Sequence, residues 1–390
     1  MRAIGLMSGT SLDGIDAALV ELRPLGDGYA LDVIAFETVP FSTETRARLD
    51  AALPPNAPSP ALVAALEREL GACFATAALR VAGGAPVDFA ATHGLTLYHR
   101  GEARETVQIG DPYLLRDALG ATVVFDFRRA DCAAGGNGAP LVPYVDALLF
   151  AAHERNVVAL NIGGMANVTV LRRGAPPSEA NAWDTGPGNV LIDEFVWRRT
   201  DGRERFDRGG AYAAAGRVDR HALRELIGRE AFYLVQPPPK STGRERFGPQ
   251  LLDAQADVID KLTLPNGCAT LCAYTVATIA DSLEAYGPAG GTLAVSGGGA
   301  HNASLMRMLA ERLEPAGFAI VRSNDLGIDS DAKEAIAFAV LGYETLRGRP
   351  ANLPRATGAS RATILGAIVP GDLAALLAKI RAECAPNDGA

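Results

Sequence analysis

VVALNIGGMANVTVLRRGAPPSEANAWDTGPGN occupies residues 157–189 and contains the pattern from which the architecture can be inferred. An apolar strand at residues 157–160 breaks at Gly163 and Gly164, and a second strand follows at residues 168–171. This order predicts a hairpin with a glycine-rich tip. Backbone N–H groups at such a tip can approach a ligand that a Cβ atom would keep away. The pattern therefore predicts a hairpin whose turn faces a ligand.

A second glycine-rich turn, WDTGPGN, follows at residues 183–189, and an apolar run begins at Val190. Pro187 suits the first turn of a helix, so Asp184 is predicted to lie just before a helix N-terminus. An acid aimed at a place where backbone donors could hold phosphate is the arrangement that phosphoryl transfer needs. The alternative is that Asp184 only caps the helix, and this stretch alone leaves both interpretations open.

The N-terminal residues repeat the pattern, with a strand at 3–7, the turn SGTSLDG at 8–14 and a strand at 15–22. Two such hairpins, separated by enough chain for a domain, predict a duplicated architecture, unless two common glycine hairpins coincide by chance. A triple glycine at 297–299 stands between a strand and a helix, where backbone donors can meet a nucleotide. For 390 residues, two domains are the default expectation.

The composition is that of an ordinary globular protein, with 48% hydrophobic and 21% charged residues. A net charge of −8 argues against a nucleic-acid partner. The five cysteines are scattered; Cys268 and Cys272 have no partner Cys or His pair at zinc-like spacing and are predicted to be reduced core thiols. Neither a signal peptide nor an apolar run of membrane-spanning length is evident, so we expect a cytoplasmic protein without a membrane partner.

Three further positions could carry chemistry. His93 is predicted at the end of a strand at residues 89–92, where α/β domains place ligand-facing residues, and a structural histidine is an equal alternative. The loop PPPKSTGRE at 237–245 either lines a sugar or phosphate site or is simply solvated. Residues 329–331 are predicted to cap a helix, and Glu334 in its first turn is either favoured by the helix N-terminus or a second acid of the site.

A set of short motifs occurs in one order along the chain. The set consists of GTSLDGID (9–16), QIGDP (108–112), APLVP (139–143), NIGGMAN (161–167), WDTGPGN (183–189), PPPKSTGRE (237–245), VSGGGAHN (295–302) and ATGA (356–359). Each motif is weak alone, but the ordered set is specific and resembles that of the anhydro-N-acetylmuramic acid kinase family. That family belongs to the actin/hexokinase/Hsp70 superfamily.

The resemblance implies an α/β fold, specifically a two-domain actin-like ATPase (ribonuclease H-like) fold with a duplicated sheet and an interdomain cleft for ATP and sugar. We expect domain I to comprise residues 1–150 plus about 352–390 and domain II to comprise residues 151–351. Mg²⁺ is expected to accompany ATP, and the sequence leaves open whether the chain forms a homodimer.

The resemblance also implies roles for individual residues. Asp184 matches the family's catalytic base, and Glu334 is our candidate for a second acid. The predicted ATP-binding residues are Gly9, Thr10, Ser11, Leu12, Asp13, Gly14, Ile15, Asp16, Gly163, Gly164, Asn167, Gly297, Gly298 and Gly299. The predicted sugar-binding residues are His93, Thr96, Arg128 and Gly186. Asp13 is in addition the candidate for a water-mediated Mg²⁺ contact.

The implied activity is an ATP-dependent kinase that opens 1,6-anhydro-N-acetylmuramic acid with water and phosphorylates O6. The product would be N-acetylmuramic acid 6-phosphate, in the recycling of the cell wall. Leu95 and Asn137 stand where the family pattern predicts Gln, which affects the details of sugar recognition. Two other classes stay open: an ordinary sugar or carboxylate kinase, in which Asp184 would deprotonate a free hydroxyl, and a non-catalytic actin-like filament or chaperone ATPase.

Overall fold

The computed structural model describes residues 1–9, 12–25, 28–54, 56–150, 153–244, 246–326 and 329–383. The chain divides into two compact units. Unit 1 comprises Met1–Ala152, Pro176–Ser178 and Ala332–Ala390, and unit 2 comprises His153–Ala175 and Glu179–Asp331. This division differs from the expected boundary at residue 351, because the helix that begins at Lys333 packs on the strands of unit 1.

The strands of the described chain form two sheets, one in each unit. In chain order the strands are β1 (Arg2–Ser8), β2 (Gly14–Leu25), β3 (Gly28–Pro40), β4 (Phe89–Arg100), β5 (Glu105–Ile109), β6 (Thr122–Phe125), β7 (Val157–Ile162), β8 (Met165–Leu171), β9 (Asn181–Pro187), β10 (Gly291–Ser296), β11 (Phe318–Arg322) and β12 (Ala367–Val369). Both predicted glycine hairpins are present, as the antiparallel pairs β1–β2 and β7–β8.

The helices lie between and after these strands. They are α1 (Thr43–Ala52), α2 (Pro60–Ala82), α3 (Pro112–Leu119), α4 (Arg129–Ala133), α5 (Val142–Leu149), α6 (Val190–Arg199), α7 (Ala211–Ala215), α8 (Arg220–Arg229), α9 (Ala231–Leu234), α10 (Pro249–Ala254), α11 (Ala256–Ile259), α12 (Leu264–Tyr286), α13 (Ala303–Leu313), α14 (Lys333–Leu346), α15 (Pro354–Thr357) and α16 (Leu373–Glu383). Within the described residues, no helix is long and apolar enough to span a membrane.

The two sheets share one topology. The sheet of unit 1 has the order β12-β6-β4-β1-β2-β3, with β5 paired to β4, and that of unit 2 has the order β11-β10-β7-β8-β9. In each sheet a three-stranded antiparallel meander is extended by two strands parallel to its first strand. The strands β6-β4-β1-β2-β3 thus correspond in order to β11-β10-β7-β8-β9. This repeat confirms the predicted α/β fold with a duplicated sheet.

Helix α14 is apolar almost all round because it is buried in unit 1. It packs on β1, β2 and β4, and Ala335, Ile336 and Ala339 are fully buried. Gly5 allows the close approach, since a Cβ atom there would lie 1.8 Å from the Ala335 carbonyl oxygen. The predicted acidic cap is wrong: Ala332 occupies the N-cap position and makes no side-chain capping bond.

Candidate functional site

Asp184 lies in a strand, which corrects the prediction of a turn ahead of a helix. Strand β9 continues to Pro187, and Asp184 pairs with Asn167 of β8, next to an irregularity in the register. Helix α6 begins only at Val190, with Asn189 at its N-cap. The Gly/Pro composition of the segment suggested a turn, but pairing with β8 outweighs this local preference. Asp184 is therefore not the cap of α6.

One segment of unit 2 holds Asp184 from several sides. The Thr242 N–H donates to Asp184 Oδ2 at 2.8 Å, and the Asp184 N–H donates to the Lys240 carbonyl oxygen at 3.1 Å. The Tyr233 hydroxyl donates to the Asp184 carbonyl oxygen at 3.0 Å. Because β9 is an edge strand, its outer side is open to this pairing. The position and direction of the carboxylate are thus set by the segment of residues 233–242.

Lys240 anchors that segment and is buried, which does not match the solvated alternative for this residue. Its side chain is buried, and Nζ donates to the carbonyl oxygens of Tyr233 at 3.3 Å and Leu234 at 3.1 Å. Nζ also lies 4.7 Å from the centre of the Tyr233 ring. Burial lowers the pKa of the Lys240 ammonium, and the charge of Asp184 opposes this shift. A cation therefore interacts with Asp184 inside unit 2.

The glycine tip between β7 and β8 is braced against the start of α6. The N–H groups of Gly188 and Asn189 donate at 2.8 Å to the carbonyl oxygens of Gly164 and Gly163, respectively. Gly188 permits this contact, because a Cβ atom there would lie 2.3 Å from the Gly163 carbonyl oxygen. Asn167, opposite Asp184, lies at the end of the same motif. The second predicted phosphate loop and Asp184 thus occupy neighbouring strands.

The triple glycine packs against the end of β7. Gly297 has a positive φ of 81°, and a Cβ atom at this position would lie 2.6 Å from Asn161 Oδ1. A Cβ atom on Gly299 would meet Ile162 Cγ2 at 2.4 Å. Only glycine satisfies both the backbone conformation and the space at 297. The predicted adenosine loop therefore lies beside the strand that leads into the second phosphate loop.

A cavity of about 580 Å³ adjoins the triple glycine. Its lining residues are Asn189, Ile192, Asp193, Phe206, Asp207, Arg208, Gly209, Gly298, His301 and Asn302. Burial raises the pKa of Asp193 to about 7, a shift that Arg244 opposes and Asp207 supports. The volume is in the range of small-ligand pockets. Sequence reasoning missed Asp193, because a single acid in an amphipathic helix has no local signature.

The first predicted phosphate loop joins β1 to β2 in unit 1. Thr10 and Ser11 lie outside the described residues. The Leu12 N–H donates to the Gly9 carbonyl oxygen at 3.2 Å, and the Ser8 hydroxyl donates to the Gly14 carbonyl oxygen at 2.8 Å. Leu12 is buried with a positive φ of 56°, a conformation that is uncommon outside glycine. Hydrogen bonds thus connect the described residues on the two sides of Thr10 and Ser11.

The carboxylates of this hairpin are the candidates for a metal contact. Asp13 is exposed, with Oδ1 3.8 Å from an Arg46 guanidinium nitrogen. Asp16 Oδ1 accepts a hydrogen bond from the Thr38 hydroxyl at 2.6 Å. Ile15, which precedes Asp16 in the sequence, is buried. Among the described residues, no group of three or more His, Cys, Asp or Glu side chains is placed to hold a metal ion.

His93 lies inside β4 and not at a strand end, because β4 continues to Arg100 to pair with β5. Its Nδ1 is 3.1 Å from the Gly94 carbonyl oxygen, and Arg128 Nε donates to its Nε2 at 2.9 Å. Burial, with a further contribution from Arg128, lowers its pKa well below the usual value, so the ring is neutral. Both ring nitrogens are engaged within unit 1. These contacts match the structural alternative, and His93 positions Arg128.

Glu334 also belongs to unit 1. Its side chain is open to solvent, but surrounding protein atoms desolvate the carboxyl and raise its pKa, with a further contribution from Asp16. Arg128 and Lys333 oppose this shift. Burial lowers the pKa of Arg128 to about 10, so the guanidinium remains charged at neutral pH. Unit 1 thus brings Asp16, Arg128 and Glu334 into one electrostatic cluster.

The remaining sugar candidates are divided between the units. In unit 1 the Thr96 hydroxyl accepts from Gln108 Nε2 at 3.3 Å, next to Leu95, which is fully buried in the apolar core. The Asn137 N–H donates to the Thr357 carbonyl oxygen at 2.8 Å. In unit 2 Gly186 lies in β9, where a Cβ atom would approach the Thr278 side chain at 3.1 Å. Gly186 is therefore explained by packing of β9 against α12.

Comparison with known proteins gives matches over nearly the whole chain. The family described as anhydro-N-acetylmuramic acid kinase matches residues 1–371. The anhydro-N-acetylmuramic acid kinase of Rhodococcus erythropolis is 42% identical over 95% of this chain and 94% of its own. That of Streptomyces coelicolor is 44% identical over 95% of this chain and 94% of its own.

Solved structures show a more distant likeness. A ROK family glucokinase from Streptomyces griseus, in complex with glucose and AMPPNP, is 12% identical with a TM-score of 0.37. The match covers 88% of this chain and 100% of that chain. The sequence relatives are thus much closer to this chain than this structural neighbour.

Proposed function

This chain belongs to the anhydro-N-acetylmuramic acid kinase family, and from that premise we propose that it opens 1,6-anhydro-N-acetylmuramic acid with water and phosphorylates O6 from ATP. The products are N-acetylmuramic acid 6-phosphate and ADP. The reaction would return a cell-wall sugar to metabolism. Asp184 is the proposed general base.

The placement of Asp184 is the observation that carries this proposal. Its carboxylate is oriented by the Thr242 N–H, and its strand pairs with the strand that follows the glycine tip. A general base must be held in a fixed direction toward the proton that it accepts. The competing interpretation, a helix cap, does not apply, since Asn189 occupies that position.

The chemistry follows from the bond that closes the anhydro ring. O6 of the substrate is bonded to C1, so there is no free 6-hydroxyl to phosphorylate. Asp184 accepts a proton from a water molecule as its oxygen bonds to C1 and the C1–O6 bond breaks. The electron pair of that bond stays on O6, which bonds to the γ-phosphorus of ATP while ADP leaves with the bridging oxygen.

The glycine loops of unit 2 are the proposed contacts for the nucleotide. Backbone donors around Gly163 and Gly164 would face phosphate, and the cavity beside Gly298 has room for a nucleoside. In unit 1 the turn at residues 9–16 is the proposed first phosphate loop. Phosphoryl transfer is catalysed mainly by such positioning and by charge stabilisation.

Asp13 and Asp16 fit a Mg²⁺ ion that is bound chiefly by phosphate and water. Such an ion needs only one or two protein carboxylates, and these two acids belong to one hairpin. When bound, the ion would neutralise charge on the phosphates. Thr38 orients Asp16 through the hydrogen bond to Oδ1. Asp13 remains the candidate for a contact through water.

Glu334 and Arg128 are proposed to contribute to the sugar site from unit 1. Their opposite charges interact, and the Arg128 guanidinium is also fixed by His93 and by the Gly138 carbonyl oxygen at 2.8 Å. We propose that Glu334 orients the water or a sugar hydroxyl and that Arg128 contacts the acidic substrate. Thr96 is the further proposed sugar contact from unit 1, and His93 acts through the guanidinium of Arg128 that it holds. Gly186 is accounted for by its packing against Thr278.

The test is the product formed from the anhydro sugar and ATP in ¹⁸O-labelled water, measured by mass spectrometry. We expect one ¹⁸O atom at C1 of the sugar and none in the transferred phosphoryl group. Label in inorganic phosphate, without a phosphorylated sugar, would show ATP hydrolysis and contradict the proposal. Turnover of reducing sugars with none of the anhydro sugar would instead identify an ordinary sugar kinase.

A further inference from the structure

The hydroxyl of Thr242 is buried and, within the described part of the chain, has no hydrogen-bond partner. The main chain of the same residue is engaged, because its N–H donates to Asp184 Oδ2 at 2.8 Å. The Thr242 side chain is therefore attached next to the N–H group that orients the proposed base. An unpartnered hydroxyl at this position is unusual, since buried polar groups nearly always find partners.

Packing alone does not account for this hydroxyl. Valine has almost the same shape as threonine and would fill the same space without a polar group to desolvate. The segment is also held in place without it, because Lys240 Nζ donates to the carbonyl oxygens of Tyr233 and Leu234 at 3.3 and 3.1 Å. The hydroxyl thus belongs to a segment that other contacts hold in place, and none of its described neighbours forms a hydrogen bond with it.

We propose that the Thr242 hydroxyl hydrogen-bonds the sugar that is bound at Asp184. A polyhydroxylated sugar offers both donors and acceptors, and a hydroxyl group can serve as either. The inference rests on the proposed function, in which the same carboxylate faces the sugar. Thr242 would then have two roles, since its main chain orients the base and its side chain contacts the substrate.

The test compares Thr242→Val with Thr242→Ser in steady-state kinetics on the anhydro sugar and in thermal unfolding. We expect Thr242→Val to lower kcat/KM for the sugar about tenfold, the effect of one lost hydrogen bond, with the KM for ATP unchanged. Thr242→Ser keeps the hydroxyl and should stay within about twofold of the wild type. The melting temperature of Thr242→Val should be unchanged or higher, because a buried unpaired hydroxyl has been removed.

Ser323→Ala is the matched control. Its hydroxyl is likewise buried without a described partner, but Ser323 follows β11, the opposite edge of the sheet from β9. This variant should keep the wild-type kcat/KM. The inference is overturned if Thr242→Val stays within twofold of the wild type, or if its activity and melting temperature fall together as expected for a structural role.

Asp184→Asn separates this inference from the proposed function. If Asp184→Asn is inactive and Thr242→Val is fully active, only the role of Thr242 is wrong. If the wild type does not turn over the anhydro sugar, the proposed function fails and this inference fails with it.

Discussion

At the scale of single residues, Asp184 is the clearest case of a side chain whose role depends on distant neighbours. Its contacts come from Tyr233, Lys240 and Thr242, which follow it by about fifty residues or more. Two of these three contacts are made through the main chain of Asp184, so they survive a change of its side chain. A substitution that preserves shape can therefore isolate the chemical role of the carboxylate.

Asp184→Asn is expected to abolish most activity without unfolding the protein. Asparagine keeps the size and accepts the Thr242 N–H through its amide oxygen, but it cannot take up a proton. Loss of a general base typically lowers the rate about 10²–10⁴-fold. The measurements are kcat with the anhydro sugar and the melting temperature.

Asp219→Asn is the control for this variant. Asp219 is a true N-cap, whose side chain accepts the N–H groups of His221 and Ala222. Asparagine caps a helix nearly as well, so stability and kcat should both be retained. A kcat within a few-fold of the wild type for Asp184→Asn would remove Asp184 from the mechanism.

Asp193 gives a prediction about pH and stability. Its usual pKa is 3.8 and its folded pKa is about 7, so between these values the folded state binds more protons than the unfolded state. Stability from this group is therefore complete at low pH and is lost as pH rises from about 4 to 7. The melting temperature of Asp193→Asn minus that of the wild type should therefore rise as pH increases from about 4 to 7 and stay constant at higher pH. A difference in melting temperature between variant and wild type that does not vary with pH would contradict the raised pKa of Asp193.

At the scale of elements, the approach of α14 to β1 explains two sequence features together. The helix is apolar on nearly every side because strands and α5 surround it, and Gly5 removes the side chain that would keep it away. A buried ion pair, Lys333 with Asp146 at 2.9 Å, joins the start of α14 to α5. The chain thus returns to unit 1 at Ala332, directly before α14.

Gly5→Ala is expected to destabilise the protein by about 1–3 kcal/mol or more, since the added methyl group would overlap the backbone of Ala335. Chemical denaturation measures the effect. Gly228→Ala in α8 is the control, because a Cβ atom there meets nothing within 4 Å. Replacing this helical glycine should stabilise by about 0.5–1 kcal/mol. Equal effects of the two substitutions would refute the close-packing explanation.

At the scale of the whole molecule, each unit has its own apolar core around one long helix. In unit 1 the core includes Leu66, Leu70 and Phe74 of α2, and in unit 2 it includes Ile279 and Leu283 of α12. Both helices begin with a side-chain cap, from Ser59 in α2 and from Thr263 in α12. A proline lies in the first turn of each helix, as Pro60 and Pro265. The duplicated topology therefore comes with two separately formed cores.

Leu70→Ala and Leu283→Ala should each open the sheet of their own unit first. Both side chains are almost completely buried, and such truncations typically cost about 2–5 kcal/mol. Hydrogen exchange measured by mass spectrometry should show faster exchange in β1 and β4 for Leu70→Ala and in β7 and β10 for Leu283→Ala. Equal acceleration in both sheets for either variant would contradict separate cores.

Local chemistry made the two hairpins, the long helices and the glycine loops predictable. Alternating apolar residues and glycine turns act over a few positions, and the ordered motifs identified the family. The sequence could not show that Asp184 lies in a strand, that His93 binds Arg128, or that α14 belongs to unit 1.

The tertiary structure decided these points because each depends on contacts between residues far apart in the chain. Asp184 pairs with β8 and with the segment at Lys240, and this long-range pairing outweighs the turn preference of its Gly/Pro neighbours. His93 Nε2 accepts a hydrogen bond from the guanidinium of Arg128, which lies 35 positions away in the sequence. The apolar pattern of α14 predicts that the helix is buried, but only packing against β1 determines in which unit.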